Sequence, residues 1–213
     1  MIDFYFGLPR CGKTTYLVKL ALKESRLIKK GKSRYKRILT NFGTVNIPFC
    51  YQIPFSAIGK YDVADSLIII DESSIECDNR DWKNLSKDFI NFMMLHGHYN
   101  TRFVFASQSY NGYDKKLRSI TDNVYYITKK GVFGLWFSRV LRIPYGIIIP
   151  DKKDNAGSKF GEICEGYCKP SFFLRLFAPR IFRPRYYRYF DSYSRPMALK
   201  PLRLLIGDTT TPI

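Results

Sequence analysis

One stretch constrains this chain more than any other. Gly7-Leu8-Pro9-Arg10-Cys11-Gly12-Lys13-Thr14 fits G-x-x-x-x-G-K-[ST] at every fixed position. Glycines let backbone N–H groups turn inward around an anion, and a helix starting just after them adds its partial positive charge. In such a cradle Lys13 reaches the β- and γ-phosphates of a nucleotide as a mobile point charge, and the Thr14 hydroxyl ligates Mg2+. The flanks suit this chemistry. Ile2–Phe6 is a short apolar run that reads as a buried strand entering a turn. From Lys13 to about Lys30, Leu17, Leu20, Ala21 and Leu27 recur at helical spacing, with basic residues filling the other face. The bland alternative is a Gly-Lys turn capped by threonine that holds nothing. The expected nucleotide-binding residues are Gly7, Leu8, Pro9, Arg10, Cys11, Gly12, Lys13, Thr14 and Thr15.

A second motif strengthens the first. Ser66-Leu67-Ile68-Ile69-Ile70 is an aliphatic run followed by Asp71-Glu72. A buried strand thus delivers two carboxylates at its C-terminal end, where parallel sheets bind ligands. Alone, an acidic pair leading into Ser73-Ser74 is more often a loop or a helix cap. Paired with the cradle it reads as a magnesium-holding Asp71 and a Glu72 that orients and polarises the attacking water. The expected cofactors are therefore ATP and Mg2+, with Thr14 and Asp71 as the metal-holding residues. Ser107-Gln108 follows the next buried strand, Arg102–Ser107. Gln108 reads either as a γ-phosphate sensor or as an ordinary loop residue. Arg118 precedes a further apolar run, Asn123–Thr128. It reads either as an arginine acting in trans on a neighbour's nucleotide or as a surface arginine beside Lys115 and Lys116.

Strands alternating with helices predict an α/β fold, a P-loop NTPase with a mainly parallel sheet flanked by helices. Trp82, Leu85, Phe89, Phe92, Met93 and His96 step by three or four, which predicts a helix over Asp81–His98. Arg37–Thr40 reads as a strand, Asn41–Lys60 as mostly irregular, and Tyr145–Ile149 as a late strand. Residues 1–166 are expected to form the ATPase domain. Residues 167–213 are expected to form a basic, aromatic C-terminal extension. Within it, Phe172 to Arg203 interleaves arginines and aromatics around four prolines, with Asp191 the only acid. Such a segment suits phosphates and unpaired bases, or a lipid headgroup layer, or packing of its aromatics on the ATPase core. The net charge of +17 favours anionic partners such as nucleic acid or anionic lipid.

Some classes are set aside. Apolar residues make up 46%, which excludes a disordered chain. No uncharged apolar run approaches the length of a membrane-spanning helix, since Arg139, Arg142 and Pro144 interrupt the nearest one, Gly131–Pro150. Five scattered cysteines behind a start that leads straight into a strand suggest free thiols in a reducing compartment. Cys164 and Cys168, with His96 and His98, fit no standard zinc spacing.

The order GLPRCGKTT, LTN with a following NIPF, LIIIDE, ASQ, LRSITDNVY and RYYRYFDSY resembles the zonular occludens toxin (Zot) family, which includes filamentous-phage assembly ATPases of the FtsK/HerA branch. The resemblance runs from about Met1 to Ser194. It implies a virus-encoded ATPase in the host cytoplasm, peripheral to the inner membrane, working as a homo-oligomer with phage assembly proteins to extrude a filamentous virion. It also implies that Lys13 and Thr14 hold phosphate and metal, that Asp71 and Glu72 are the Walker B pair, and that Gln108 is the sensor. Arg10 departs from the family, which usually has glycine there, and the transmembrane helix that commonly follows the ATPase domain has no counterpart in this sequence. Two other readings compete. One is a DNA translocation or packaging ATPase of the same branch, its basic surface gripping nucleic acid. The other is a membrane-surface scaffold that uses nucleotide only as a switch, against which Glu72 argues.

Overall fold

Ile2–Phe6 forms β1 in the computed structural model, which describes residues 1–73, 87–108, 117, 120–129, 136–143 and 178–190. α1 spans Lys13–Lys29 and β2 Arg37–Thr40. β3 follows at Cys50–Gln52, then a short 3-10 turn at Phe55–Ala57. β4 is Ser66–Ile70, α2 Lys87–Leu95, β5 Arg102–Ser107 and β6 Asn123–Lys129. β7 is Phe137–Ile143, β8 is Arg180–Phe182, and a 3-10 segment covers Arg183–Tyr189.

The eight strands make one sheet in the order β3-β2-β4-β5-β1-β6-β7-β8. β1 lies between β5 and β6 and is parallel to both. β2, β3, β4 and β5 are also parallel neighbours, and β7 and β8 close the far edge antiparallel. The central strands β1 and β4 are buried along their whole length, as expected of strands covered on both faces. Alternate residues supply the two covers. Phe4, Phe6, Ile68, Ile70, Phe103 and Phe105 face one core, with Phe89 and Met93 of α2. Tyr5, Leu67, Ile69, Val104 and Ala106 face the other, with Leu17, Val18 and Ala21 of α1.

The parallel half matches the sequence reading, and the differences lie at the edges. The region read as irregular holds β3, a three-residue edge strand with Ile38 opposite Cys50. The interrupted apolar stretch beyond Gly131 holds β7, whose Arg139 and Arg142 alternate with buried Ser138, Val140 and Ile143. The described part of the expected Asp81–His98 helix ends at Leu95, followed by a turn in which His98 N–H bonds to the Leu95 carbonyl (2.9 Å). The expected strand Tyr145–Ile149 lies outside the described residues.

The C-terminal segment meets the sheet. Its described part, residues 178–190, adds β8 to the sheet, in register with β7 from Phe137 opposite Phe182 to Arg139 opposite Arg180. Ile181 and Phe190 are buried in the α1-side core, and the Val45 N–H donates to the Tyr189 carbonyl (2.8 Å). Arg180, Phe182, Arg185, Tyr187 and Arg188 stay exposed. Among the described residues, no helix is long and apolar enough to cross a membrane.

Candidate functional site

The cradle sits between the end of β1 and the start of α1, at the C-terminal ends of the parallel strands. Its glycines are demanded by close approach. A Cβ on Gly7 would fall 2.3 Å from the Ile127 carbonyl oxygen of β6. Gly12 has φ +98°, and a Cβ there would meet Ser138 Oγ at 2.6 Å and Arg183 Cδ at 2.8 Å. Arg10 also adopts a left-handed φ of 59°, which explains why glycine suits this position better than most residues do. The Gly7 N–H donates to the Ser107 carbonyl (3.3 Å), tying the loop to β5.

Lys13 is only 5% exposed, and its ammonium donates to the carbonyls of Gly7 (3.0 Å) and Leu8 (3.4 Å). The cation is thus held against the loop backbone. Thr15 is buried in the first turn of α1, and Leu8, Pro9 and Arg10 are exposed at the rim. Burial pushes the Cys11 thiol up, so it stays neutral in spite of nearby Lys13.

β4 delivers its two carboxylates beside this loop. Thr14 Oγ1 donates to Asp71 Oδ2 (2.5 Å) across 57 residues of sequence. Burial raises the Asp71 carboxyl above the usual carboxylate range, and the Thr14 hydrogen bond opposes that rise. Asn41, just past β2, grips the Asp71 backbone twice: its Nδ2 donates to the Asp71 carbonyl (2.9 Å), and the Asp71 N–H donates to its Oδ1 (2.8 Å). The Glu72 N–H donates to Asp71 Oδ1 (2.9 Å), and Glu72 itself takes a left-handed φ of 48°. Buried Ser73 donates to the Ala106 carbonyl (3.0 Å), fixing the chain after the pair to β5. Gln108 Nε2 approaches the two Glu72 carboxylate oxygens at 3.4 and 3.3 Å.

Lys13, Thr14, Asp71, Glu72 and Gln108 therefore converge, from β1–α1, β4 and β5. Arg118 lies outside the described residues. Asn41, Ser138 and Arg183 were not singled out as site residues by their sequence. Asn41 had a signal in the LTN run, whereas the other two have none at sequence level.

The donor set fits Mg2+. A hydroxyl and a carboxylate, both hard oxygen donors, meet at Thr14 and Asp71. Among the described residues, no group of three or more His, Cys, Asp or Glu could hold a metal ion. An ion at this place has to complete its shell with water and phosphate oxygens, which is the habit of Mg2+. Cys164 and Cys168 lie outside the described residues, and His96 Nδ1 is hydrogen-bonded to the Met93 carbonyl (2.7 Å).

Among solved structures, the chain is similar to the N-terminal domain of zonular occludens toxin from Neisseria meningitidis. The TM-score is 0.54 at 16% identity, with 89% of this chain and 98% of that chain covered. A genome packaging NTPase from Sulfolobus turreted icosahedral virus 2, in complex with ATP-gammaS, matches with a TM-score of 0.45 and 10% identity over 66% of this chain and 91% of that one. No curated protein sequence matches the chain. The sheet order, the cradle between β1 and α1 and the acidic pair after β4 are those of a P-loop NTPase. The family model for zonular occludens toxin (Zot) matches residues 46–155, a span that takes in Asp71, Glu72 and Gln108 and more than half of the chain, and the chain belongs to the Zot family.

Proposed function

We propose that this chain binds ATP with Mg2+ at Gly7–Thr14 and hydrolyses it to drive filamentous phage assembly and extrusion through the host inner membrane. The observation that carries the reading is the convergence of Thr14 on Asp71 and of Gln108 on Glu72 beside the buried Lys13. Inward N–H groups of the cradle and the Lys13 ammonium hold the phosphates. Thr14 and Asp71 hold Mg2+, which supplies neutralisation of the phosphate charge when bound. Glu72 orients a water for attack on the γ-phosphorus and takes up its proton. The bond between the β–γ bridging oxygen and phosphorus breaks, releasing ADP and inorganic phosphate. Gln108, within reach of Glu72, reports the state of the γ-phosphate.

The exposed face of residues 178–190 supports a peripheral membrane role. Arg180, Arg185 and Arg188 stand among Phe182 and Tyr187 on a chain of net charge +17. Oligomers, phage assembly proteins and a trans-acting Arg118 belong to the same proposal. The alternative is DNA translocation or packaging, for which the same basic face would grip the nucleic acid backbone.

Titration with a fluorescent ATP analogue and a phosphate-release assay test the chemistry. Lys13→Ala is expected to abolish binding with the fold retained. Glu72→Gln is expected to bind normally and to lose about a hundredfold or more in turnover. Normal turnover in Glu72→Gln removes Glu72 from the mechanism. Co-sedimentation with anionic vesicles supports the membrane role, whereas DNA-stimulated turnover without vesicle binding supports translocation.

A further inference from the structure

We infer that Arg183, with Ser138, is a positioning clamp that aims the cradle's backbone N–H groups at the nucleotide, so that the segment 178–190 sets how tightly the site holds a triphosphate. The inference rests on the reading of Gly7–Thr14 as a nucleotide cradle.

Three contacts fall on consecutive residues of the loop. Arg183 Nη1 donates to the Arg10 carbonyl (3.0 Å) across 173 residues of sequence. Ser138 Oγ donates to the Cys11 carbonyl (2.5 Å) from β7. The Arg183 methylenes and Ser138 Oγ then cover Gly12 so closely that a Cβ there would overlap both.

The geometry of the peptide unit turns these contacts into function. In a planar trans peptide the C=O of one residue and the N–H of the next point in opposite directions. Holding the Arg10 carbonyl outward aims the Cys11 N–H into the loop. Holding the Cys11 carbonyl outward aims the Gly12 N–H into the loop. The Cys11 N–H donates across the loop to the Leu8 carbonyl (3.3 Å). An anion cradle works only when its N–H groups are aimed before the anion arrives, since reorientation on binding would subtract from affinity. Arg183 can do this because it is itself fixed. It is 7% exposed, and its backbone N–H donates to the Trp136 carbonyl (2.8 Å) at the β7–β8 edge. A charged donor makes the stronger hydrogen bond to a carbonyl, and its positive charge lies behind an anion site.

The test uses the full chain, with MgATP binding by fluorescent-analogue titration, turnover by phosphate release, and thermal melting with and without MgATP. Arg183→Met keeps the stem and removes the donors. It is expected to raise Kd and KM for MgATP about tenfold, with kcat within about threefold of wild type. Arg183→Lys, which keeps the charge and one donor direction, is expected to recover most of that loss. Ser138→Ala is expected to weaken binding by about threefold. The rise in melting temperature on adding MgATP is expected to shrink in the same order. Unchanged Kd and KM in Arg183→Met overturn the clamp. A fall in kcat alone also overturns it. If Arg183→Met does not fold, Arg183→Lys and Ser138→Ala decide, and wild-type affinity in both overturns it. A wild-type chain that binds MgATP no better than Lys13→Ala overturns the cradle reading and the clamp with it.

Discussion

The sheet carries an aspartate at each end, fully buried at Asp3 and partly buried at Asp71, and the two differ in what surrounds them. Asp3 lies near the start of β1, fully buried. Its Oδ2 accepts from Arg102 Nε (2.9 Å) and from the same guanidinium's Nη2, and its Oδ1 accepts from Asn123 Nδ2 (2.7 Å). Arg142 Nη2 in turn donates to Asn123 Oδ1 (2.7 Å). Asp71, at the opposite end after β4, has the Thr14 hydroxyl and the Glu72 N–H as its donors, and among the described residues no ion pair reaches it. Burial raises its carboxyl, and the Lys13 charge opposes that rise less than the Thr14 hydrogen bond does. Burial alone therefore does not mark a site. What marks it is a carboxylate left short of charge compensation, able to take a cation that the fold does not provide.

Exchange of each carboxylate for its amide separates the two ends. Asp71→Asn is expected to cut Mg2+-dependent turnover by about a hundredfold or more, because a charged metal-holding oxygen is lost. Its stability should move the other way. A carboxyl raised in the folded state favours the protonated form there, so the charge costs stability as pH rises past its unfolded pKa. The neutral amide removes that cost, and Asp71→Asn should melt no lower than wild type at pH 7. Calorimetry beside phosphate release checks both halves, and a large loss of melting temperature would make Asp71 a scaffold residue like Asp3.

Asp3→Asn should do the reverse. The amide turns one oxygen into a donor facing Arg102 or Asn123 and leaves a half-buried guanidinium without its counter-charge. A loss of about 2 kcal/mol is expected, below the range for fully buried pairs because Arg102 keeps some access to water. Denaturant unfolding measures it. The folded fraction should bind MgATP as wild type does, and weakened binding at equal foldedness would mean that the two ends are coupled.

How much of this was legible follows the same division. β1, β4 and β5 are contiguous apolar runs, and the cradle and acidic pair are local patterns, so spacing alone places them. β3 and β8 are three-residue edge strands, and β7, just inside β8, has mixed polarity. Arg139 and Arg142 in β7 read as interruptions because they break the apolar run on opposite faces of the strand, between buried Ser138, Val140 and Ile143. Arg183 reads as one arginine in a basic run. Only antiparallel pairing with β7 brings it to Arg10, a contact no local pattern encodes. Arg118 lies outside the described residues, and its trans role stays with the proposal.

Asn41 sharpens the comparison at smaller scale, since it aligns the Asp71 backbone and not the carboxylate. Asn41→Ala removes both hydrogen bonds, for about 1 kcal/mol of stability. Turnover is expected to fall about tenfold while MgATP affinity holds, because Glu72 is displaced and the cradle is not. Steady-state kinetics separate the two, and a rise in KM with kcat unchanged would place Asn41 with the cradle.

The smallest effect is expected at Arg10, where the site end departs from the family's usual glycine. A left-handed arginine costs on the order of 1 kcal/mol, and Arg10→Gly relieves it. Glycine also has more freedom to lose on folding, so the net gain should stay under about 1 kcal/mol. The carbonyl that accepts from Arg183 is backbone and survives the change. What disappears is one exposed guanidinium at the rim. If that group only adds to the local field, MgATP affinity should fall by less than about threefold, with the difference fading as salt is raised toward 1 M, where screening acts within about 3 Å. An affinity loss of about tenfold that persists in high salt would mean direct contact with phosphate. Arg10 would then join Lys13 as a second phosphate ligand, and its strained backbone would be the consequence of placing that ligand in a loop built for glycine.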